Sequence, residues 1–358
     1  MDGDGEDIGR WLKALPGAGA LPFSATPPAL YRVADLYAGY DPQDPASFAD
    51  VWDARVYEWT RAESRHPRRF TLAETLAMRL HDAAIDRLVA DYLAPKEHRA
   101  IGFMGGHAIP RDAPVYAEVA RIARTLRRQG FRIVTGGGPG MMEAANFGAF
   151  LAPYDQAAFD AALAVLHAAP SPDVSPAGKA AWTMAAANVR AQLLGAWDAD
   201  GPAEGSSLGI PTWYYGQEPP NLFATASGKY FLNSLREDGL VSVANGGLFF
   251  APGDAGTVQE VFQNANYNYY RGPETRATPM VFFGRAYWGP DGPDAIADHS
   301  KPVFPLVRDL AAESQHPFSE ALLLSDDPAA IAAFFAAANA EKTARPRCAD
   351  LRLCPIEP

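Results

Sequence analysis

The apolar positions of this chain change their spacing near residue 98, and the change marks its organisation. Before that point, Leu72, Leu76, Leu80, Ile85, Leu88 and Val89 recur near helical spacing, and Thr71-Leu-Ala-Glu74 forms a capping box, which predicts a helix over 71–93 that ends before Pro95. After it come short apolar runs rich in β-branched or aromatic residues, Phe131-Arg-Ile-Val134, Leu248-Phe-Phe250 and Pro279-Met-Val-Phe-Phe-Gly284, each read as a strand. Residues 155–194 are alanine-rich and read as one or two helices broken at Ala169-Pro-Ser-Pro-Asp-Val-Ser-Pro176. Residues 302–340 hold a further strand or loop and a helix over 328–340. Residues 1–70 show no clean period, and the runs Leu21-Pro-Phe-Ser-Ala-Thr-Pro-Pro28 and Tyr40-Asp-Pro-Gln-Asp-Pro45 form turns. The expected fold is α/β, a doubly wound and mostly parallel Rossmann-like sheet. Its expected parts are a mainly helical extension over 1–97, the α/β domain over 98–345 with a helical insertion at about 153–203, and a tail over 346–358.

Two of these strands run into glycine-rich turns that lead into helical patterns: Thr135-Gly-Gly-Gly-Pro-Gly-Met-Met-Glu-Ala-Ala-Asn146 and Ala251-Pro-Gly-Asp-Ala-Gly-Thr-Val-Gln-Glu260. Glycine lets a backbone approach a phosphate closely, and the free N–H groups of a helix's first turn point at it, so strand, turn and helix together make an anion site. Two such turns, each with a glutamate three or four residues into the helix, point to a nucleotide-sized ligand held by its phosphate and its sugar.

The two segments resemble the Lonely Guy (LOG) family, often labelled lysine decarboxylase-like. Gly136, Gly137, Gly138, Gly140 and Met142 meet its G-G-G-x-x-G-x-M-like turn; Pro252, Gly253, Gly256, Thr257 and Glu260 meet its P-G-G-x-G-T-x-x-E, with Asp254 where the second glycine usually stands. The order of elements agrees: Ala100-Ile-Gly-Phe-Met-Gly-Gly-His107 reads as the opening strand and turn, 115–129 as the next helix and Ser207-Leu-Gly-Ile210 as a later strand. The resemblance covers roughly residues 98 to 290. It implies hydrolysis of the N-glycosidic bond of a nucleoside 5′-monophosphate (AMP-like, with a cytokinin nucleotide as one option) to free base and ribose 5-phosphate, without a cofactor, by a homodimer or larger homo-oligomer.

Within that resemblance Glu260 and Arg236 are the catalytic candidates. Glu260 would stabilise an oxocarbenium-like ribose and orient water. Arg236, on the helix expected over 229–238, would neutralise the departing base or fix the glutamate, with Lys229 as a substitute cation. The glycines, Pro252 and Thr257 hold the phosphate; Glu143 is a candidate ribose contact, and Gly105, Gly106, His107 and Asn221 are further ligand contacts. Plainer readings stand beside these. Thr257 to Glu260 is itself a capping box, Glu143 suits the positive end of a helix, Arg236 suits a solvated helix face, and Asn221 and His107 suit ordinary turns. The aromatic clusters Trp213-Tyr-Tyr215 and Asn266-Tyr-Asn-Tyr-Tyr270 could stack on a base or belong to a core. Asp254 is expected to point away from the phosphate, toward the ribose hydroxyls or solvent.

Composition narrows the rest. The net charge of −11 and pI near 5.1 argue against duplex DNA and anionic membranes as partners. No stretch approaches the roughly 20 apolar residues of a bilayer span. The start, Met1-Asp-Gly-Asp-Gly-Glu-Asp7, is acidic, unlike a secretory signal, so a cytoplasmic protein is expected. Cys348 and Cys354 in the tail make neither a disulfide scaffold nor a four-ligand zinc site, and the seven histidines lack metal-ligand spacing. Three other functions compete. A nucleotide sensor without turnover would keep the loops, and Asp254 is its best support. A pyridoxal-dependent lysine decarboxylase needs a cofactor-bound lysine in a context that none of the six lysines has. A dinucleotide oxidoreductase needs G-x-G-x-x-G, whose spacing Gly136-Gly-Gly-Pro-Gly140 lacks.

Overall fold

In the computed structural model, the described residues are 11, 20–61, 69–94, 99–171, 175–214, 219–290 and 299–340. The tail with Cys348 and Cys354 lies outside them, as do Met1 to Asp7 and Tyr215.

Among the described residues seven strands form one sheet, and every pairing between them is parallel: β1 (Ala100–Met104), β2 (Arg132–Thr135), β3 (Ser207–Gly209), β4 (Ala226–Ser227), β5 (Gly247–Phe250), β6 (Met280–Phe282) and β7 (Leu322–Leu324). Their order is β4-β3-β2-β1-β5-β6-β7. The chain winds outward from β1 to one edge, then returns to β5 on the other side of β1. The β1/β5 boundary is thus the switch point, where an open α/β sheet parts its loops and takes ligands. The strands β1, β2, β3, β5 and β6 are buried almost throughout, which is why they read as apolar runs and not as alternations.

Among the described residues, the helices of ten residues or more are α1 (Trp52–Arg61), α2 (Leu72–Leu93), α3 (Pro114–Arg128), α4 (Met141–Phe150), α5 (Gln156–His167), α6 (Pro176–Leu194), α7 (Asn233–Val243), α8 (Ala255–Tyr269), α9 (Phe304–Glu313) and α10 (Pro328–Ala340). The expected capping box of α2 is present: Thr71 Oγ1 accepts from Glu74 N at 3.2 Å, and Thr71 N donates to the Glu74 carboxylate at 2.8 Å. The alanine-rich segment between β2 and β3 forms α5 and α6. Phe103 and Phe249 stack at 4.6 Å across the switch point, each ring adding about 2 to 3 kcal/mol of burial.

The N-terminal extension does not build a core of its own. Val33, Leu36, Tyr37 and Phe48 join one apolar cluster with Ile101, Phe103 and Phe249, while Phe23, Val56 and Met78 pack with Trp213 and Phe231. Its chain also covers a sheet edge: Tyr31 and Ser227 exchange backbone hydrogen bonds at 2.9 and 2.8 Å beside β4, which removes an unpaired edge. No helix among the described residues is long and apolar enough to cross a membrane.

Candidate functional site

Three loops meet at the carboxyl ends of β1, β2 and β5, and backbone hydrogen bonds stitch them together. Gly106 N donates to Pro252 O at 2.9 Å, and Met141 N donates to Gly106 O at 3.1 Å. The close approach needs glycine at two places. Gly140 has φ +67°, and a Cβ there would lie 2.3 Å from Gly106 O; Gly137 has φ +74° and would meet Pro211 at 2.8 Å. His107 is exposed beyond this junction, with its carbonyl turned toward Gly140.

The first glycine turn, Gly136 to Gly140, is held from behind by a buried polar network that composition alone did not mark as such. Thr135 Oγ1 accepts from Gly137 N at 2.9 Å and donates to Asn146 Oδ1 at 2.6 Å. Asn221 donates to Gly138 O and to Asn146 Oδ1, both at 3.0 Å, while its own Oδ1 accepts from Phe223 N and Ala224 N at 3.1 Å. Asn221 is therefore the clamp of this loop from inside the protein. Since Met141 N is taken by Gly106 O, the next two N–H groups of α4 are those without intrahelical partners.

The second turn presents an open helix start. Asp254 is the N-cap of α8 and makes no side-chain cap bond. This corrects the capping-box reading. Thr257 sits at the third helical position and Glu260 three residues further on, so neither side chain closes a cap. Both are buried, on one face of the helix as their spacing requires. Gly256 is exposed, and a Cβ there would have nothing within 4 Å, whereas a Cβ on Gly253 would lie 2.3 Å from Thr257 Oγ1. The Asp254 carboxylate points outward, 76% exposed and 3.6 Å from Lys301 Nζ, as expected for a side chain directed to solvent. Lys301 also donates to Tyr287 Oη at 2.8 Å, and that hydroxyl donates to Gly253 O.

Arg236 lies between the two turns. Its Nε donates to Ile210 O at 2.9 Å, and its Nη2 lies 2.2 Å from where a Cβ on Gly136 would be; Met142 Sδ crowds the same point at 2.6 Å. Burial pushes the Glu260 carboxyl up to about 7, against the pull of the Arg236 guanidinium and with Glu237 adding to the rise. A carboxylate with that midpoint, near the start of α8 and under the charge of Arg236, is equipped for proton handling or for stabilising positive charge near neutral pH.

Two expected ligand groups serve the interior instead. Glu143 is fully buried and paired with Arg111, which donates to both carboxylate oxygens at 2.8 and 2.6 Å, while Tyr116 donates a third hydrogen bond at 3.1 Å. Those bonds leave it no role as a ribose contact. Lys229 precedes α7 and is not on it; it is buried against Trp213 and donates to Asp53 of α1 at 2.6 Å. Pairing with that acid withdraws it as a substitute cation. Trp213 is buried among Trp52 and Phe231 and belongs to the core, while Tyr214 and Tyr270 are exposed. Arg111 carried no sequence signal, being an isolated arginine in a turn. A cavity of about 690 Å³ bounded by Pro22, Pro28, Tyr31 and Trp52 lies in the N-terminal extension, apart from these loops.

No family model matches the chain, and neither does any curated protein. Among solved structures, the molybdenum cofactor binding protein of the phototrophic bacterium Rippkaea orientalis is similar at 14% identity and a TM-score of 0.38, over 68% of this chain and 98% of its own. The molybdenum cofactor carrier protein of Chlamydomonas reinhardtii is similar at 14% identity and a TM-score of 0.39, over 68% of this chain and 99% of its own.

Proposed function

We propose that this chain hydrolyses the N-glycosidic bond of a nucleoside 5′-monophosphate, releasing free base and ribose 5-phosphate. The observation that carries the reading is Glu260: a buried carboxyl with its midpoint near 7, beside Arg236 and one turn after the open start of α8. In this reading the phosphate sits at the starts of α4 and α8, with Thr257 and the glycine backbones donating to it. It is a non-reacting handle whose binding energy places the ribose. As the bond to the base lengthens, positive charge spreads over the ribose ring, and ionised Glu260 stabilises it and orients the attacking water. Arg236 balances the charge on the departing base. The resemblance to LOG proteins supports the same assignment and adds a homodimer or larger homo-oligomer as the working assembly.

A second reading is supported by two features of the same loops. Gly106 O already occupies the first N–H of α4, and Asp254 adds a carboxylate to the second turn. A protein that binds a nucleotide without turning it over would tolerate both. Incubation with a panel of nucleoside monophosphates, with released base measured, separates the two. Hydrolysis is expected from the wild type and not from Glu260→Gln, with nucleotide binding kept in both. The nucleoside lacking the phosphate is expected to react far more slowly. Equal turnover of nucleoside and monophosphate, or an active Glu260→Gln, removes the proposed mechanism.

A further inference from the structure

His81 and Asp82 lie on α2, in the extension, and both are fully buried. The His81 ring stands among Phe23, Tyr31, Trp213 and Phe231. The Asp82 carboxylate reaches across to the start of α7, accepting from Phe231 N at 3.0 Å and from Leu232 N at 2.9 Å. It also accepts from His81 Nδ1 at 3.0 Å; with Nδ1 donating, His81 Nε2 accepts the Tyr31 hydroxyl at 2.8 Å. Leu232, the N-cap of α7, has no side-chain oxygen to satisfy the helix's first donors. Asp82, from an element 150 residues earlier, instead holds the two backbone N–H groups that lead into the helix, those of Phe231 and Leu232. One turn into the helix stands Arg236, whose own N–H bonds Leu232 O at 3.2 Å.

We infer that Asp82 is a positioning residue: by holding the entry of α7 it sets the Arg236 guanidinium against Gly136 and beside Glu260. The importance of the placement rests on the proposed role of Arg236, but the placement itself can be read without turnover. An anchor at the entry of a helix fixes both its axial position and its rotation, and an arginine four residues after the anchored Leu232 moves with it. The extension thereby contributes to the site without touching a ligand.

The test reads the Glu260 titration midpoint by carboxyl NMR on the free, full-length protein, where Arg236 and Glu237 are the charges that act on it. Asp82→Asn keeps the shape of the side chain but loses an acceptor for one N–H group. It is expected to raise the midpoint by about 1 unit as the Arg236 charge moves away. Arg236→Ala is expected to raise it as well, and adding Asp82→Asn to Arg236→Ala is expected to add nothing. Asp86→Asn is the control for general loosening: it weakens the hydrogen bond from Tyr230 Oη (2.8 Å) on the same helix, leaves the α7 entry alone and is expected to leave the midpoint in place. Should Asp82→Asn fail to fold, Asp82→Ser, which retains one acceptor, replaces it with the same expectations. An unmoved midpoint in the Asp82 variant or in Arg236→Ala overturns the inference, and so does an equal rise in Asp86→Asn. A wild type that releases no base removes the proposed hydrolysis but leaves this measurement valid. A wild type that releases base while the Asp82 variant keeps its midpoint sinks the positioning role alone.

Discussion

Arg236 occupies the space that glycine leaves open at position 136: a methyl group on Gly136 would stand 2.2 Å from its Nη2 atom. The absence of a side chain in the first turn and the presence of a cation on α7 are thus one feature of the site.

Gly136→Ala follows directly from that contact. The atoms it meets, Arg236 Nη2 and Met142 Sδ, are the ends of flexible side chains, so they yield at small cost. Stability is expected to fall by about 1 kcal/mol or less. Base release is expected to drop by about 10-fold or more, because a displacement near 1 Å of a catalytic group is costly. Thermal unfolding and initial rates, measured together, check this; an active variant would show that Arg236 has no fixed place in the reaction.

The midpoint of Glu260 makes stability depend on pH. Burial raises it from 4.5 to about 7 in the folded chain. Between those values the folded protein keeps a proton that the unfolded chain gives up. The contribution is therefore fully present below about 4.5 and is lost as pH rises through 7, by up to about 3 kcal/mol. Denaturant unfolding at pH 5 and pH 8 is expected to show this decline, flattened in Glu260→Gln. Base release runs the other way, rising as Glu260 ionises, with a midpoint near 7.

Glu143→Gln probes the buried pair with Arg111. Removing one partner leaves the guanidinium without a countercharge, between the Trp182 ring at 4.4 Å and two backbone carbonyls. The expected loss is about 3 to 5 kcal/mol of stability. A variant as stable as the wild type but weaker in nucleotide binding would return Glu143 to the ligand.

Asp254→Gly restores the glycine of the LOG pattern. The carboxylate is exposed and its ion pair with Lys301 is 3.6 Å long, so its removal costs little stability. KM for the nucleotide is expected to change only a few-fold, about 1 kcal/mol or less. Base release gained by this variant from an inactive wild type would favour the nucleotide-binding reading.

The strands and loops that form the switch point were legible because buried parallel strands must be apolar throughout and because tight turns at their ends require glycine. Phe131-Arg-Ile-Val134 with Gly137 and Gly140, and Leu248-Phe-Phe250 with Gly253, carry both marks locally. The helix over residues 71–93 was legible for the same kind of reason, since its capping box and period lie within one segment. Long-range pairing leaves no such trace. Thr257-Val-Gln-Glu260 fits a capping box as a string, yet α8 starts at Ala255, which places both side chains inside the site instead. Lys229 and Glu143 look like ligand groups in isolation, and only Asp53 and Arg111, distant in the chain, show them as interior partners.

The N-terminal extension shows the division most clearly. Its prolines and aromatics have no period to read, because Phe23, Tyr31 and Trp52 are ordered by contacts with Trp213, Phe231 and the edge at Ser227 rather than by their neighbours in sequence. Short-range chemistry written in the residues specifies the parallel sheet and the glycine turns, and the resemblance to LOG proteins adds Arg236 with Glu260 as candidates. Which charges are held in the interior, which face the cleft, and that Asp82 holds the helix carrying Arg236 emerge only when the chain is folded. A side chain's burial and its partner's charge depend on residues that the fold, and not the sequence order, brings within hydrogen-bond reach.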